Sequence, residues 1–170
     1  MPVQRLNHAV LFVRDVERSS TFYRDVLGFR AKVEMPGRAV FLQAEGSTND
    51  HDLGLFQVGA GAGPSEAGRR TVGLYHLAWE VDTLAELARI RGALTDAGAL
   101  VGASDHATTK ALYAQDPDGI EFEVSWLLPA DLITPEVEAA GATTLPLDLD
   151  AEIARHGAQT RGGVGVSVAV

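Results

Sequence analysis

Leu6-Asn7-His8-Ala9-Val10-Leu11-Phe12-Val13 and Leu74-Tyr75-His76-Leu77-Ala78-Trp79-Glu80-Val81 open two halves of one chain with the same phrase, a leucine and a histidine ahead of a strand-like run. The offset is constant at 68 positions, from Leu6 to Leu74 and from His8 to His76. In the first copy Leu6, His8, Val10 and Phe12 share one strand face, and Asn7, Ala9, Leu11 and Val13 share the other. Both faces are largely apolar, which predicts a strand buried on both sides. Asp15 then reads as a helix N-cap, with Val16, Ser19/Ser20, Tyr23 and Val26/Leu27 at helical spacing and Gly28 as the stop. Three short strands are expected over 29–33, 39–44 and 53–58.

The second half repeats the order. A strand over 74–81 leads to a helix capped by Asp82 or Thr83, with Glu86 placed for a capping box after Thr83. Its stripe is Leu84, Leu87, Ala88, Arg91 and Leu94, and Gly98 ends it. Strands near 100–101, 110–115 and 120–126 complete the unit. The fold class is therefore α+β, built from two βαβββ modules at about 4–58 and 72–128 within one domain, 1–128, that share a core. A Gly- and Ala-rich linker, 59–71, joins them. The stretch 129–170, with Pro129, Pro135 and Pro146, reads as an irregular extension with one short helix near 150–155. Its end, 162–170, alternates Gly and Val and leaves an edge strand, a subunit contact and disorder all open.

Composition narrows the chemistry. The 170 residues contain no cysteine, so disulfides and thiolate metal ligands are excluded. A net charge of −9 argues against nucleic acid and against an anionic membrane surface. No apolar run approaches the roughly 20 residues of a spanning helix, and nothing resembles a signal peptide, so the expected location is cytoplasmic. A homodimer or higher homo-oligomer is expected on general grounds.

Asp116-Pro117-Asp118-Gly119 precedes a last strand on which Ile120, Phe122, Val124 and Trp126 occupy one face and Glu121, Glu123 and Ser125 the other. A carboxylate turned into a sheet interior is costly unless paired or bound to a metal. His8, His76 and Glu123 are thus candidate metal ligands. Two imidazoles and a carboxylate suit Fe(II), Mn(II) or Zn(II), and three ligands leave open positions for a chelating substrate and O2. Shifting Glu123 back by the same 68 positions reaches Leu55, with Gln57 the next residue in phase, so no charged fourth ligand is expected.

The paired modules, the two histidines and the Asp116–Glu123 segment resemble the vicinal oxygen chelate superfamily over about residues 4–128. Within it the likeness is greatest to extradiol (catechol meta-cleavage) dioxygenases. That resemblance implies a cupped mixed β-sheet around a central Fe(II), or another divalent metal such as Mn(II), held by His8, His76 and Glu123. It also implies an aromatic diol and O2 as substrates. His51-Asp52-Leu53-Gly54-Leu55-Phe56 is similar to the segment whose histidine is the acid–base residue beside the O2 position. Ser104-Asp105-His106 resembles the segment whose histidine contacts a substrate oxygen, and Tyr113 matches the tyrosine that hydrogen-bonds the catecholate. The catalytic candidates are accordingly His51, His106 and Tyr113. A glyoxalase-like isomerase or epimerase would need a fourth ligand, which Gln57 alone is placed to supply. A metal-free drug-binding protein would have apolar or aromatic residues at the three ligand positions.

Overall fold

Asp15 starts the first helix as its position suggests: its carboxylate accepts from the Arg18 backbone N–H at 2.9 Å, and helix α1 runs Val16–Leu27. Gly28 ends it in the left-handed conformation, φ 75°, which a side chain would strain. In the second half Thr83 caps helix α2, Leu84–Asp96, by accepting from the Glu86 N–H at 3.2 Å. These elements come from a computed structural model that describes residues 2, 3, 5–67, 70–140 and 143–163.

The chain divides into two compact units. Unit 1 is Met1–Glu66 with Asp116–Ile120, and unit 2 is Ala67–Gln115 with Glu121–Val170. Unit 1 has strands β1 Ala9–Val13, β2 Arg30–Met35, β3 Ala39–Gln43 and β4 Leu53–Gln57, in the sheet order β1-β4-β3-β2. Strands β1 and β4 are parallel and the other neighbours antiparallel, so the sheet is mixed. Its core is Leu11, Val13, Val16, Tyr23, Val26, Phe29, Leu42, Leu53 and Leu55, gathered where α1 lies on the sheet.

The expectation of a first strand buried on both sides is not met. Leu11 and Val13 are buried, but Val10 is 50% and Phe12 72% exposed. The reason is coverage: α1, the helix among unit 1's described residues, packs on one face of the sheet. The strand also begins later than the apolar pattern suggests, at Ala9, so that His8 lies just ahead of it. Its counterpart behaves alike, because β5 is Leu77–Glu80 and His76 precedes it.

Unit 2 carries β5, β6 Leu100–Asp105, β7 Thr109–Gln115 and β8 Glu121–Leu127 in the order β5-β8-β7-β6, extended by β9 Leu145–Pro146 on the β6 edge. Strand β6 is longer than the two residues expected because its pairing with β7 continues past a register shift at Val101 to Asp105. The stripe of α2 is Leu84, Leu87, Ile90 and Leu94. Arg91, assigned to that stripe by spacing, instead reaches outward to Asp150 at 3.5 Å.

The extension is more ordered than its prolines imply. It contains a 3-10 turn (Ala130–Leu132), helix α3 Pro135–Ala140, strand β9 and helix α4 Leu149–His156, whose N-cap is Asp148. Helix α4 packs on α2. Beyond it the Trp126 indole donates to the Thr160 carbonyl at 3.2 Å, and the Gly162 N–H donates to the Asp82 carbonyl at 2.8 Å. The alternating Gly/Val end falls largely on 164–170, outside the described residues. Among those described, no helix is long and apolar enough to cross a membrane.

Candidate functional site

Ladder register, more than sequence offset, identifies equivalent positions in the two units. In unit 2 Leu77 pairs with Phe122 and Ala78 with Glu123; in unit 1 Ala9 pairs with Leu53 and Val10 with Gly54. The first strands keep the offset of 68 (9 to 77), whereas the last strands differ by 69 (53 to 122). The counterpart of Glu123 is therefore Gly54, not Leu55, which is fully buried in the core. The counterpart position thus carries no side chain. Gln57 is also committed elsewhere: its side-chain oxygen accepts from the Val16 N–H at 3.0 Å and ties β4 to the start of α1.

In unit 2 the sheet brings four of the sequence-derived residues together. His76 Nε2 lies 3.3 Å from Glu123 Oε2. Tyr113 sits opposite Glu123 on β7, and its ring is 6.0 Å from that of His76. The Tyr113 hydroxyl meets His106 Nε2 at 2.9 Å. Burial first, and then the Glu123 carboxylate to which it hydrogen-bonds, hold the Tyr113 phenol above its ordinary value of 10.0. A cavity of about 380 Å³ opens here, lined by Tyr75, His76, Ser104, His106, Tyr113 and Thr144 among others.

Unit 1 places the remaining two candidates side by side. The His8 and His51 rings lie 4.5 Å apart, and the Phe41 ring meets His51 edge-on at 5.0 Å. His8 Nδ1 is 2.7 Å from the Asn7 side-chain oxygen, and His51 Nδ1 is 3.1 Å from Asp50 Oδ2. Both contacts call for a hydrogen on Nδ1, which leaves each Nε2 with its lone pair.

The residues of unit 2 fit a divalent cation. His76 Nδ1 is buried without a hydrogen-bond partner, so the ring gains its polar contact through Nε2, beside a carboxylate. The 3.3 Å between Nε2 and Oε2 matches neighbouring ligands on an ion with bonds of about 2.1 Å. Among the described residues no group of three or more His, Asp or Glu side chains is gathered for an ion.

The turn before Glu123 is fixed by unit 1. Asp116 Oδ1 accepts from the Asp118 and Ile120 backbone N–H groups, at 2.8 and 2.9 Å, and Oδ2 accepts from the buried Tyr23 hydroxyl at 3.2 Å. Asp118 pairs with Arg14 at 2.9 Å and Arg18 at 2.7 Å.

Sequence reasoning missed what surrounds His106. Its Nδ1 is 3.1 Å from the Thr143 carbonyl and 3.3 Å from Thr144 Oγ1, both in the extension. Next to it Asp105 accepts from the buried Lys110 at 2.6 Å, and Lys110 also pairs with Glu152 of α4 at 2.9 Å. One signal was readable: Lys110 shares a strand face with Leu112 and Ala114, and a lysine in such company needs a carboxylate.

Comparison with known proteins agrees with this architecture. The Glyoxalase/Bleomycin resistance protein/Dioxygenase superfamily pattern matches residues 5–124, and the chain belongs to that superfamily. It is 33% identical over 119 residues to a catechol-2,3-dioxygenase of Bacillus subtilis (strain 168), covering 70% of this chain and 40% of that protein. It is 32% identical over 135 residues to biphenyl-2,3-diol 1,2-dioxygenase 3 of Rhodococcus globerulus, covering 78% and 66% respectively. The chain thus spans about two fifths and two thirds of these relatives. Among solved structures it is similar to a glyoxylase/bleomycin resistance protein/dioxygenase domain from Frankia sp. EAN1pec, with TM-score 0.61, 22% identity and coverage of 73% and 92%. It is also similar to a lactoylglutathione lyase from Agrobacterium tumefaciens, with TM-score 0.54, 22% identity and coverage of 74% and 95%. At those identities the structures speak for the fold alone.

Proposed function

We propose that the chain is an Fe(II)-dependent dioxygenase that opens the ring of an aromatic vicinal diol beside the two hydroxyls. The observation that carries the reading is the line His106–Tyr113–Glu123–His76: a phenol hydroxyl and an imidazole directly beside a carboxylate–imidazole pair suited to a cation. Both curated relatives are named for ring-diol dioxygenation, which is the second support.

In this reading His76 and Glu123 hold the ion from unit 2, and His8 supplies the third ligand from unit 1. When bound, the ion makes the diol hydroxyls more acidic and passes electron density to O2. Tyr113 and His106 orient a diol oxygen through the hydroxyl and Nε2. His51, with its Nδ1 hydrogen on Asp50, presents Nε2 to take up a proton and return it. The isomerase reading needs Gln57 as a ligand, and the Gln57 oxygen already serves the Val16 N–H.

The test is oxygen-free purification, loading with Fe(II), addition of catechol or 2,3-dihydroxybiphenyl, then admission of air. A yellow ring-opened product and matching O2 uptake, both lost in Glu123→Ala and His51→Ala, are expected. Isomerase activity without O2 uptake, or no turnover across a diol panel, overturns the reading.

A further inference from the structure

The extension after residue 128 carries backbone and side-chain groups to His106 that the remainder of unit 2 does not supply. Strand β9 pairs with the end of β6, Leu145 opposite Asp105 and Pro146 opposite Ser104. This pairing places the Thr143 carbonyl 3.1 Å from His106 Nδ1. A carbonyl oxygen only accepts, so this shorter contact calls for hydrogen on Nδ1, with the Thr144 hydroxyl at 3.3 Å the longer partner, and in the neutral ring Nε2 is then the acceptor. With the opposite tautomer two lone pairs would face each other across that contact. The hydroxyl hydrogen of Tyr113 is thereby drawn toward Nε2, 2.9 Å away. The Glu123 carboxylate, opposite Tyr113 on β8, is the second acceptor within reach of that one hydroxyl hydrogen, so the His106 tautomer decides how it is shared.

The turn carrying His106 is braced from the same source. Ala107 adopts φ 64°, unusual for a residue with a side chain. Asp105 Oδ1 holds the Ala107 N–H at 2.8 Å and Lys110 Nζ at 2.6 Å, and Lys110 is in turn held by Glu152 of α4 at 2.9 Å.

We infer that the 143–146 segment is a positioning element of the active site: its Thr143 carbonyl locks His106 as the Nδ1–H tautomer and so sets the direction of the Tyr113 hydrogen bond. The tautomer claim stands on unit 2 alone; its kinetic consequence rests on the dioxygenase reading.

The test is nitrogen-15 NMR of the histidine rings in the full-length, metal-free protein at mildly alkaline pH, with His106 assigned by comparison with His106→Gln. Wild type is expected to show one fixed tautomer with hydrogen on Nδ1. Leu145→Pro breaks the short β6–β9 ladder at an exposed position, and Leu145→Gly replaces it should the proline variant not fold. The variant is expected to mix the two tautomers at His106 and, loaded with Fe(II) to the wild-type content, to lose about tenfold in kcat. Hydrogen on Nε2, or averaged tautomers, in wild type overturns the inference. So does a variant that keeps both the tautomer and kcat. A locked tautomer in a protein that turns over no diol upholds the inference and removes the dioxygenase reading instead.

Discussion

Tyr113 stands directly opposite Glu123 across the antiparallel β7–β8 ladder, and the same pair of positions in unit 1 holds Phe41 and Gly54. The duplicated module has thus kept a hydroxyl and a carboxylate in one copy and a phenyl ring and a hydrogen in the other. Each copy kept its histidine at the head of the first strand.

Tyr113→Phe removes the hydroxyl and keeps the ring. Because Phe41 already fills the equivalent place in unit 1, the sheet should accept it with little change in Tm. Turnover of catechol by the Fe(II)-loaded variant is expected to fall about 10- to 100-fold at unchanged iron content. Oxygen-electrode rates set beside iron analysis check this; unchanged kcat would show that the hydroxyl has no task.

Gly54→Ala should be tolerated. A Cβ there would meet Val10 Cγ2 at 3.4 Å and the Phe41 ring at 3.5 Å, which is ordinary contact, and the position needs no left-handed backbone. Restricting the unfolded chain should raise stability by about 0.5 kcal/mol, read from the urea midpoint. A loss above about 2 kcal/mol would instead mean that the close approach of Phe41 requires glycine.

Helices α1 and α2 were legible in the sequence because their ends are written locally, in Asp15, Gly28, Thr83 and Glu86. The site was legible in part. Glu123 was readable because its alternation with Phe122 and Val124 fixes its face once the strand is known. Its counterpart was misplaced by one residue because loop lengths differ between the copies, and only hydrogen-bond register reveals that difference. The open face of β1 was misread since Val10 and Phe12 look like core and no sequence pattern states which sheet face a helix will cover. The Thr143 carbonyl was out of reach altogether: a backbone oxygen 37 residues from His106 leaves no mark in residue type.

Asp118 should govern part of the acid limb of stability. Burial alone would raise this carboxyl, but the Arg14 N–H and guanidinium, with the Arg18 charge, outweigh it and hold the group below its ordinary 3.8. A carboxyl lowered in the folded state contributes stability that is complete above about pH 4 and is lost as pH falls through the folded value. Asp118→Asn should cost about 1–3 kcal/mol at pH 7 and flatten the decline below pH 4, measured by urea unfolding across that range. Asp116 runs the other way. Burial raises it, so its share is present at low pH and is lost as pH climbs from its unfolded toward its folded value. Asp116→Asn should remove that opposing slope, and identical pH profiles for the two variants would contradict the assignment.

Ion binding should register as stability without any reference to turnover. His76 Nε2 faces Glu123 Oε2 at 3.3 Å, so a cation could take one ligand from each. An ion that binds only the folded state stabilises it by RT ln(1 + [L]/Kd), about 2.7 kcal/mol at one hundred times Kd. Addition of Mn(II) or Fe(II) under argon should therefore raise the Tm of the wild-type protein, and EDTA should reverse the rise. Glu123→Gln preserves shape and removes the charge, so its Tm should match metal-free wild type and stay there when metal is added. The rise should shrink at lower pH, because an imidazole must be deprotonated to act as a ligand. Substituting His8 distinguishes a three-ligand site from one built on unit 2 alone: His8→Ala should abolish most of the rise if His8 is a ligand and leave it whole if His76 and Glu123 suffice.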